Sequence, residues 1–354
     1  MTISPSVKET YGSVDFSFGV RYGSRMNRRL FRLLLCVTGF LAFCPNTPAP
    51  LIYRPGEGWT YEAVGGGKWR RTRAKDQFEV GQQAFDKKDY STAIKASRRT
   101  VRTWPFSDYA PQAQYLLGRA YEAKGQDEKA FKEYQKVLEK YPKVANYGEV
   151  LTRQFAIANK YLAGQWFKLW GYIPFFPSMD KTSDMYEKVI KNGPFSEVAP
   201  KAQMSIGTAR EKQSDYPAAV KAYERAADRY HEQKQVAADA LYKAGLAYNK
   251  QAKTAEYDQS VAGQAISTFS DFITLYPSDP RVADAQKLIA SLKTEQARGS
   301  YEIARYYEKK KRFDGALVYY NEVLIKDPSS KFAEEAKQRI DAIKKRTNKQ
   351  TAQN

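Results

Sequence analysis

Histidine is nearly absent from this 354-residue sequence: His231 is the only one. No His-based triad, His-rich metal site or His relay is read from it, and His231 itself reads as a helix-end residue. Cysteine is as scarce. Its two copies, Cys36 and Cys44, both precede residue 45, so the rest of the chain holds no disulfide and no thiol nucleophile. Gly65-Gly66-Gly67 lacks the Lys-Ser/Thr that completes a phosphate-binding loop. Acidic residues are outnumbered, 39 against 58 basic, and pairs such as Glu334-Glu335 fall on solvated helix faces. No long alternation of strand period occurs after residue 75. These absences name no catalytic residue, no cofactor site and no metal site, and an enzyme is the weak reading.

What is present is a frame. Gly118, Tyr121, Ala130, Tyr134 and Pro142 stand at spacings of three, nine, four and eight residues. That pattern is the signature of the tetratricopeptide repeat, a helix–turn–helix unit of about 34 residues. Gly118 is small where two helices press together, and it is expected to face Ala130 at a crossing of about 8–10 Å. Tyr121 lies one turn on, Tyr134 fills the groove, and Pro142 stops the second helix because it lacks an N–H. An earlier copy reads Gly81, Ala84, Ala93 and Pro105, with Ser97 in place of the aromatic. A third starts at Ala158 and Tyr161 and regains phase at Thr182, Tyr186, Val189 and Pro194. A fourth reads Gly207, Ala219, Tyr223 and Ala226, with His231 where proline is expected. A fifth reads Gly245, Tyr248, Ala265, Phe269 and Pro277, and a sixth Ala304, Tyr307, Ala316, Tyr320, Val323 and Pro328.

The expected fold is all-α: an α-solenoid of about six tetratricopeptide repeats over residues 76–346, closed by a capping helix from about Lys331 to Arg346. A polar tail, 347–354, follows. Such stacks usually hold protein partners. Aromatics make up 14% of the chain, and 26 residues are tyrosine, which suits helix packing with a polar tip at the surface.

The amino terminus suggests where the scaffold works. Residues 1–25 read as a nonnative or disordered extension. Met26-Asn27-Arg28-Arg29 followed by the apolar Leu30 to Cys44 has the pattern of a secretory signal peptide, assigned to 26–49. Two processing routes stay open: acylation at Cys44, although Phe43 is large for a lipobox, and ordinary cleavage near Thr47-Pro48-Ala49. Residues 50–75 read as a linker, stiffened by Pro50 and Pro55 and loosened by the three glycines. Its basic cluster, Arg70-Arg71-Thr72-Arg73, reads either as a solvated junction or as a contact with anionic headgroups.

The net charge of +19 could serve nucleic acid, anionic lipid or an acidic partner. No nucleic-acid motif is present, and an exported chain rarely meets nucleic acid. Two features stand out as possible partner contacts. One is an insertion in the third repeat, Trp166-Phe167-Lys168-Leu169-Trp170-Gly171-Tyr172-Ile173-Pro174-Phe175-Phe176-Pro177, expected as a loop or broken helix. Trp166, Phe167, Trp170, Phe175 and Phe176 either plug against neighbouring repeats or form a partner or membrane-interface patch. The other is the run Lys309-Lys310-Lys311-Arg312: it reads as a solvated turn, or, under the family resemblance given below, Lys310, Lys311 and Arg312 would lie near an interface and steer an acidic partner. A smaller polar insertion lies between Tyr248 and Ala265.

The segment Ala265-Ile266-Ser267-Thr268-Phe269-Ser270-Asp271-Phe272-Ile273, then Leu275-Tyr276-Pro277, resembles a repeat of the BamD-like outer-membrane assembly lipoproteins. So does the continuation from Ala283-Asp284-Ala285 to Leu292 and through Tyr301-Glu302-Ile303-Ala304-Arg305-Tyr306-Tyr307, which in that family is a charged helix and then a second, tyrosine-rich one. The resemblance implies a non-catalytic periplasmic scaffold at the outer membrane. It would bind a BamA-like barrel subunit and unfolded outer-membrane protein precursors. Two alternatives stay open: a periplasmic repeat adaptor for cell-wall synthesis or envelope constriction, and an accessory domain of a cell-wall enzyme.

Overall fold

The computed structural model describes residues 51–54, 58–61, 69–169, 173–254 and 259–351. The extension, the signal peptide and Cys44 lie outside the described residues. Two compact units divide at Lys68 and Trp69. In the first, β1 (Leu51–Arg54) pairs antiparallel with β2 (Gly58–Tyr61), Leu51 opposite Tyr61 and Arg54 opposite Gly58. The expected linker thus contains a hairpin at Ile52 and Thr60, where β-branched and aromatic residues favour strand.

The second unit begins before residue 76. Gln77 is fully buried, donates Nε2–H to the Trp69 carbonyl at 2.8 Å and accepts the Arg71 N–H on Oε1 at 2.9 Å. These bonds fasten the basic stretch to the first helix, so it belongs to the helical unit. Thirteen described helices follow: α1 (Ala74–Asp86), α2 (Tyr90–Thr103), α3 (Ala110–Ala123), α4 (Asp127–Lys140), α5 (Tyr147–Leu162), α6 (Met179–Asn192), α7 (Ala199–Lys212), α8 (Tyr216–Arg229), α9 (Lys234–Thr254), α10 (Gln259–Leu275), α11 (Val282–Lys309), α12 (Phe313–Lys326) and α13 (Lys331–Thr351). They make six antiparallel pairs and a cap. First helices of successive repeats touch, α1 with α3, α5 with α7, α7 with α9 and α11 with α13. The architecture is an α-solenoid of tetratricopeptide repeats.

Local chemistry sets the helix ends. Pro105, Pro142, Pro194, Pro277 and Pro328 each stand two residues past the last residue of α2, α4, α6, α10 and α12. That is the spacing at which a missing N–H and the restricted residue before proline stop a helix. The copy without proline ends at the same point: α8 stops at Arg229, and exposed His231 holds the Asp228 carbonyl with Nδ1 at 2.8 Å. Asp89, Ser178 and Asp215 cap α2, α6 and α8 by accepting from the N–H three residues on. Inside the repeats, the turn carries one left-handed residue: Lys88, Gly125, Gly164, Ser214 and Lys311, with φ between 58° and 108°.

The packing frame differs from expectation in one respect. Gly118 faces Tyr134, not Ala130: a Cβ on Gly118 would meet the Tyr134 ring first. Gly207 meets Tyr223 and Gly245 meets Phe269 in the same way. Gly81 has Ser97 opposite, and Leu116 of the next repeat fills the space left by the missing ring. Ala130, Ala219, Ala265 and Ala316 are fully buried beside these rings, and Tyr121 is nearly so. Each buried ring contributes about 1.5–3 kcal/mol by leaving water.

Three boundaries also change. The charged segment and the tyrosine-rich segment of the sixth repeat are one 28-residue helix, α11. Its Ala285 and Leu292 join the core with α9 and α10, while Ala297, Tyr301 and Ala304 join the core with α12 and α13. The cap α13 runs to Thr351 through most of the expected tail, with Ile340 and Ile343 buried. The insertion of the third repeat is neither loop nor broken helix. It is a second hairpin, β3 (Phe167–Leu169) against β4 (Ile173–Phe176). Phe167 pairs with Phe176 and Lys168 with Pro174, so Phe175 is an extra residue on β4, a bulge that accommodates proline in a strand.

Candidate interaction surface

The scaffold is rigidified by a bond that the spacing pattern did not reveal. Tyr134 Oη donates to Glu122 Oε2 at 2.6 Å, Tyr223 Oη to Glu211 Oε1 at 2.9 Å and Tyr320 Oη to Glu308 Oε2 at 2.6 Å. In each repeat the carboxylate lies twelve residues before the phenol. The first helix supplies it, one turn beyond the small residue that receives the ring. Burial above all raises these three phenols beyond the ordinary tyrosine range. Burial likewise pushes Tyr186 up to about 12, and its hydroxyl donates to Asn159 Oδ1 at 2.6 Å. Arg153 on α5 reaches back to α3, pairing with Glu122 at 3.2 Å and donating Nε–H to the Tyr115 hydroxyl at 2.8 Å. Repeats are therefore joined by polar contacts as well as by their cores.

The second hairpin sits on this frame through four fixed points. Phe167 is buried and stacks on Tyr161, ring centres 4.2 Å apart and planes within 19°. Glu128 Oε1 accepts the Lys168 N–H at 2.7 Å. Asp127, itself buried, holds Gln165 Nε2 on one oxygen and Lys160 Nζ on the other, both at 2.8 Å. Lys181 at the start of α6 lies over both Phe167 and Phe176, 5.1 and 5.2 Å from the ring centres. Thus the two readings of the insertion divide between residues. Phe167 is the plug; Trp166 and Phe176 are 51% and 38% exposed on a held platform. Trp170 and the side chain of Phe175 lie outside the described residues.

At the other candidate, Lys310 closes α11, Lys311 occupies the left-handed turn at φ 58° and Arg312 precedes α12. All three are exposed, and Lys310 Nζ lies 5.9 Å from the Tyr306 ring centre. Nearby, Tyr306 is 60% exposed. Sequence reasoning missed two further surface groups. Phe106 and Phe195 follow Pro105 and Pro194 in equivalent loops between repeats and are 100% and 98% exposed. The repeated Pro-Phe-Ser at 105–107 and 194–196 was the available signal. The smaller insertion lengthens α9 and α10 on either side of residues 255–258, which lie outside the described residues.

Among the described residues, no group of three His, Cys, Asp or Glu could hold a metal ion, and no helix is long and apolar enough to cross a membrane. The geometry is that of a surface for holding proteins.

Comparison with curated proteins finds no match. Among solved structures, the chain is similar to MamA (41-end) from Desulfovibrio magneticus RS-1, at 16% identity and TM-score 0.31, over 59% of this chain and 98% of that one. It is also similar to a tetratricopeptide repeat protein from Parabacteroides merdae ATCC 43184, at 15% identity and TM-score 0.32, over 76% and 98%. Likeness at this level carries no information on function. The family described as YfiO, outer membrane lipoprotein, matches residues 70–163 and 178–326. The match spans well over half of the chain and skips the stretch that holds the second hairpin. The chain belongs to the YfiO (BamD) family of outer membrane lipoproteins.

Proposed function

We propose that this chain is a non-catalytic scaffold of the outer-membrane β-barrel assembly machinery, held at the periplasmic face and binding a BamA-like barrel subunit and unfolded barrel precursors. The observation that carries this reading is the family match across all six helix pairs. Supporting it are a leader of export pattern ahead of the repeats and a surface that offers aromatic and basic contacts on a pre-organised frame. Trp166 and Phe176 on the hairpin, and Lys310, Lys311 and Arg312 at the last intra-repeat turn, are the proposed contacts. Cys44 is the proposed acylation point, which would tether the scaffold to the membrane.

The test is affinity purification of the full chain from native membranes, with partners identified by mass spectrometry. Stoichiometric recovery of a BamA-like subunit, with lower levels of barrel proteins when the chain is depleted, is the expected result. Recovery of cell-wall enzymes in its place would overturn the reading.

A further inference from the structure

Between α6 and α8, floored by α7, runs an open groove of about 820 Å³. Its apolar lining is Ile190 on α6, Ile206 on the floor and Ala222 on α8, each at most 7% exposed. Five basic side chains line it, Lys191, Arg210, Lys221, Arg225 and Arg229, against two acidic ones, Glu187 and Asp215. Asp215 is already engaged in capping α8, and Arg210 pairs with Asp180 at 2.5 Å. Among the described residues, Lys191, Lys221, Arg225 and Arg229 have no carboxylate partner within ion-pair distance. Four cations therefore face a recess with little counter-charge of its own.

Their spacing says what fits. Lys221, Arg225 and Arg229 are four residues apart and form one stripe along α8, about 6 Å between successive positions. An extended chain returns to the same face every second residue, about 6.6–6.8 Å. Carboxylates at alternate positions would meet the stripe one by one, while the residues between them turn toward Ile190 and Pro194 on the α6 side. Phe195, next to Pro194, is almost fully exposed and adds apolar surface beside it. A membrane presents its anions in a plane, not in a single file that descends into a recess.

We propose that this groove docks an extended acidic segment of a protein partner, with carboxylates at alternate positions and apolar residues between them. The groove has this chemistry whether or not the chain serves in barrel assembly.

The test uses the purified full chain and a fluorescent eight-residue peptide alternating Asp and Val, read by anisotropy at low salt. Lys221→Glu/Arg225→Glu/Arg229→Glu is expected to weaken binding about tenfold or more, since three exposed ion pairs are reversed. Lys337→Glu/Lys344→Glu/Lys345→Glu, exposed on α13 and outside the groove, should leave it unchanged. Circular dichroism checks folding; should the first variant unfold, Lys221→Gln/Arg225→Gln must still weaken binding. Equal losses in the 221/225/229 and 337/344/345 variants would overturn the proposal as general anion attraction. So would equal binding by a peptide of the same composition with its Asp residues in one block. Phosphatidylglycerol vesicles that lose affinity for the 221/225/229 variant, and that the peptide does not displace, would overturn it in favour of a membrane contact.

Discussion

A Cβ placed on Gly118 would lie 2.4 Å from Cε1 of Tyr134, a ring that is itself fully buried. The ring is rigid and has no free side to turn to, so any side chain at 118 must displace a helix. Gly118→Ala should therefore cost on the order of 1–3 kcal/mol, and Gly118→Leu at least as much. Gly207→Ala and Gly245→Ala should behave alike, since their added atoms would lie 2.3 and 2.6 Å from Tyr223 and Phe269. Gly148, also helical, has nothing within 4 Å, so Gly148→Ala should leave the urea midpoint unchanged or raise it. Equal midpoints for Gly118→Ala and Gly148→Ala would break the packing argument.

The buried phenols make stability depend on alkaline pH. In the unfolded chain a tyrosine loses its proton near pH 10. Folded, Tyr134, Tyr223 and Tyr320 keep theirs well beyond that, and Tyr186 to about 12. The folded state then binds more protons than the unfolded one, and stability falls as pH rises. The contribution is whole below about pH 10 and is lost progressively from there through pH 12 and above. At pH 8, Tyr134→Phe should cost about 1 kcal/mol by removing the bond to Glu122, which retains Arg153 as a partner. The gap between wild type and a Tyr134→Phe/Tyr223→Phe/Tyr320→Phe variant should then narrow toward pH 11.5. Denaturant titrations at both pH values check this, and a gap that widens would contradict it.

The hairpin separates plug from platform. Phe167→Ala removes a buried ring stacked on Tyr161 and should cost about 3–5 kcal/mol. Trp166→Ser and Phe176→Ser trim half-exposed side chains, the second lying under Lys181, and should each cost about 1 kcal/mol, well below Phe167→Ala. If the exposed pair is a contact, their double variant should lose partner or membrane association while its thermal midpoint falls less than that of Phe167→Ala. A fall in midpoint as large as that of Phe167→Ala, with association intact, would make the whole hairpin a structural plug.

How far the sequence foretold this structure depends on the range of the interaction. The Gly, Tyr and Pro positions act locally or on the adjacent helix, so the repeat frame and the stops before Pro142 and Pro194 could be read from spacing, but not the partner of Gly118, which is Tyr134 and not the expected Ala130. The Tyr134–Glu122 bond could not, because its partners meet only after two helices have folded back. The hairpin at 167–176 was hidden by Pro174, which argues against strand until a bulge absorbs Phe175. Helix α11 looked like two because its apolar residues serve two different cores at its two ends. Among the candidate contacts, composition pointed to Phe167 and Trp166 equally; only the stacking on Tyr161 shows that one is spent and the other is not.

Lys311 carries a backbone cost. At φ 58° its Cβ crowds the carbonyl, a conformation that costs a residue with a side chain about 1–2 kcal/mol. Gly125 meets the same requirement in the second repeat without that penalty. Lys311→Gly should raise the midpoint of thermal unfolding, and Lys88→Gly should do the same in the first repeat. A lowered midpoint in both would show that these side chains, and not the turn geometry, stabilise the bend.

The positive charge at that strained turn bears on the last prediction. Lys310, Lys311 and Arg312 are exposed, and their backbone is fixed by the N–H groups of Lys310, Lys311 and Arg312 bonding to the carbonyls of Tyr306, Glu308 and Tyr307 at 2.8–3.1 Å. Reversing their charge should therefore leave the fold unchanged while altering the field that an approaching partner meets. Such rim charges act mainly on the association rate, and the effect shrinks as the Debye length falls from about 30 Å at 0.01 M salt to about 8 Å at 0.15 M. Lys310→Glu/Lys311→Glu/Arg312→Glu is expected to slow binding of the proposed barrel-assembly subunit severalfold at low salt, with a smaller change at moderate salt and little change in the dissociation rate. Stopped-flow or surface-based kinetics at the two salt concentrations measure this, with circular dichroism as the folding control. An unchanged association rate at low salt would place the docking surface elsewhere on the repeats.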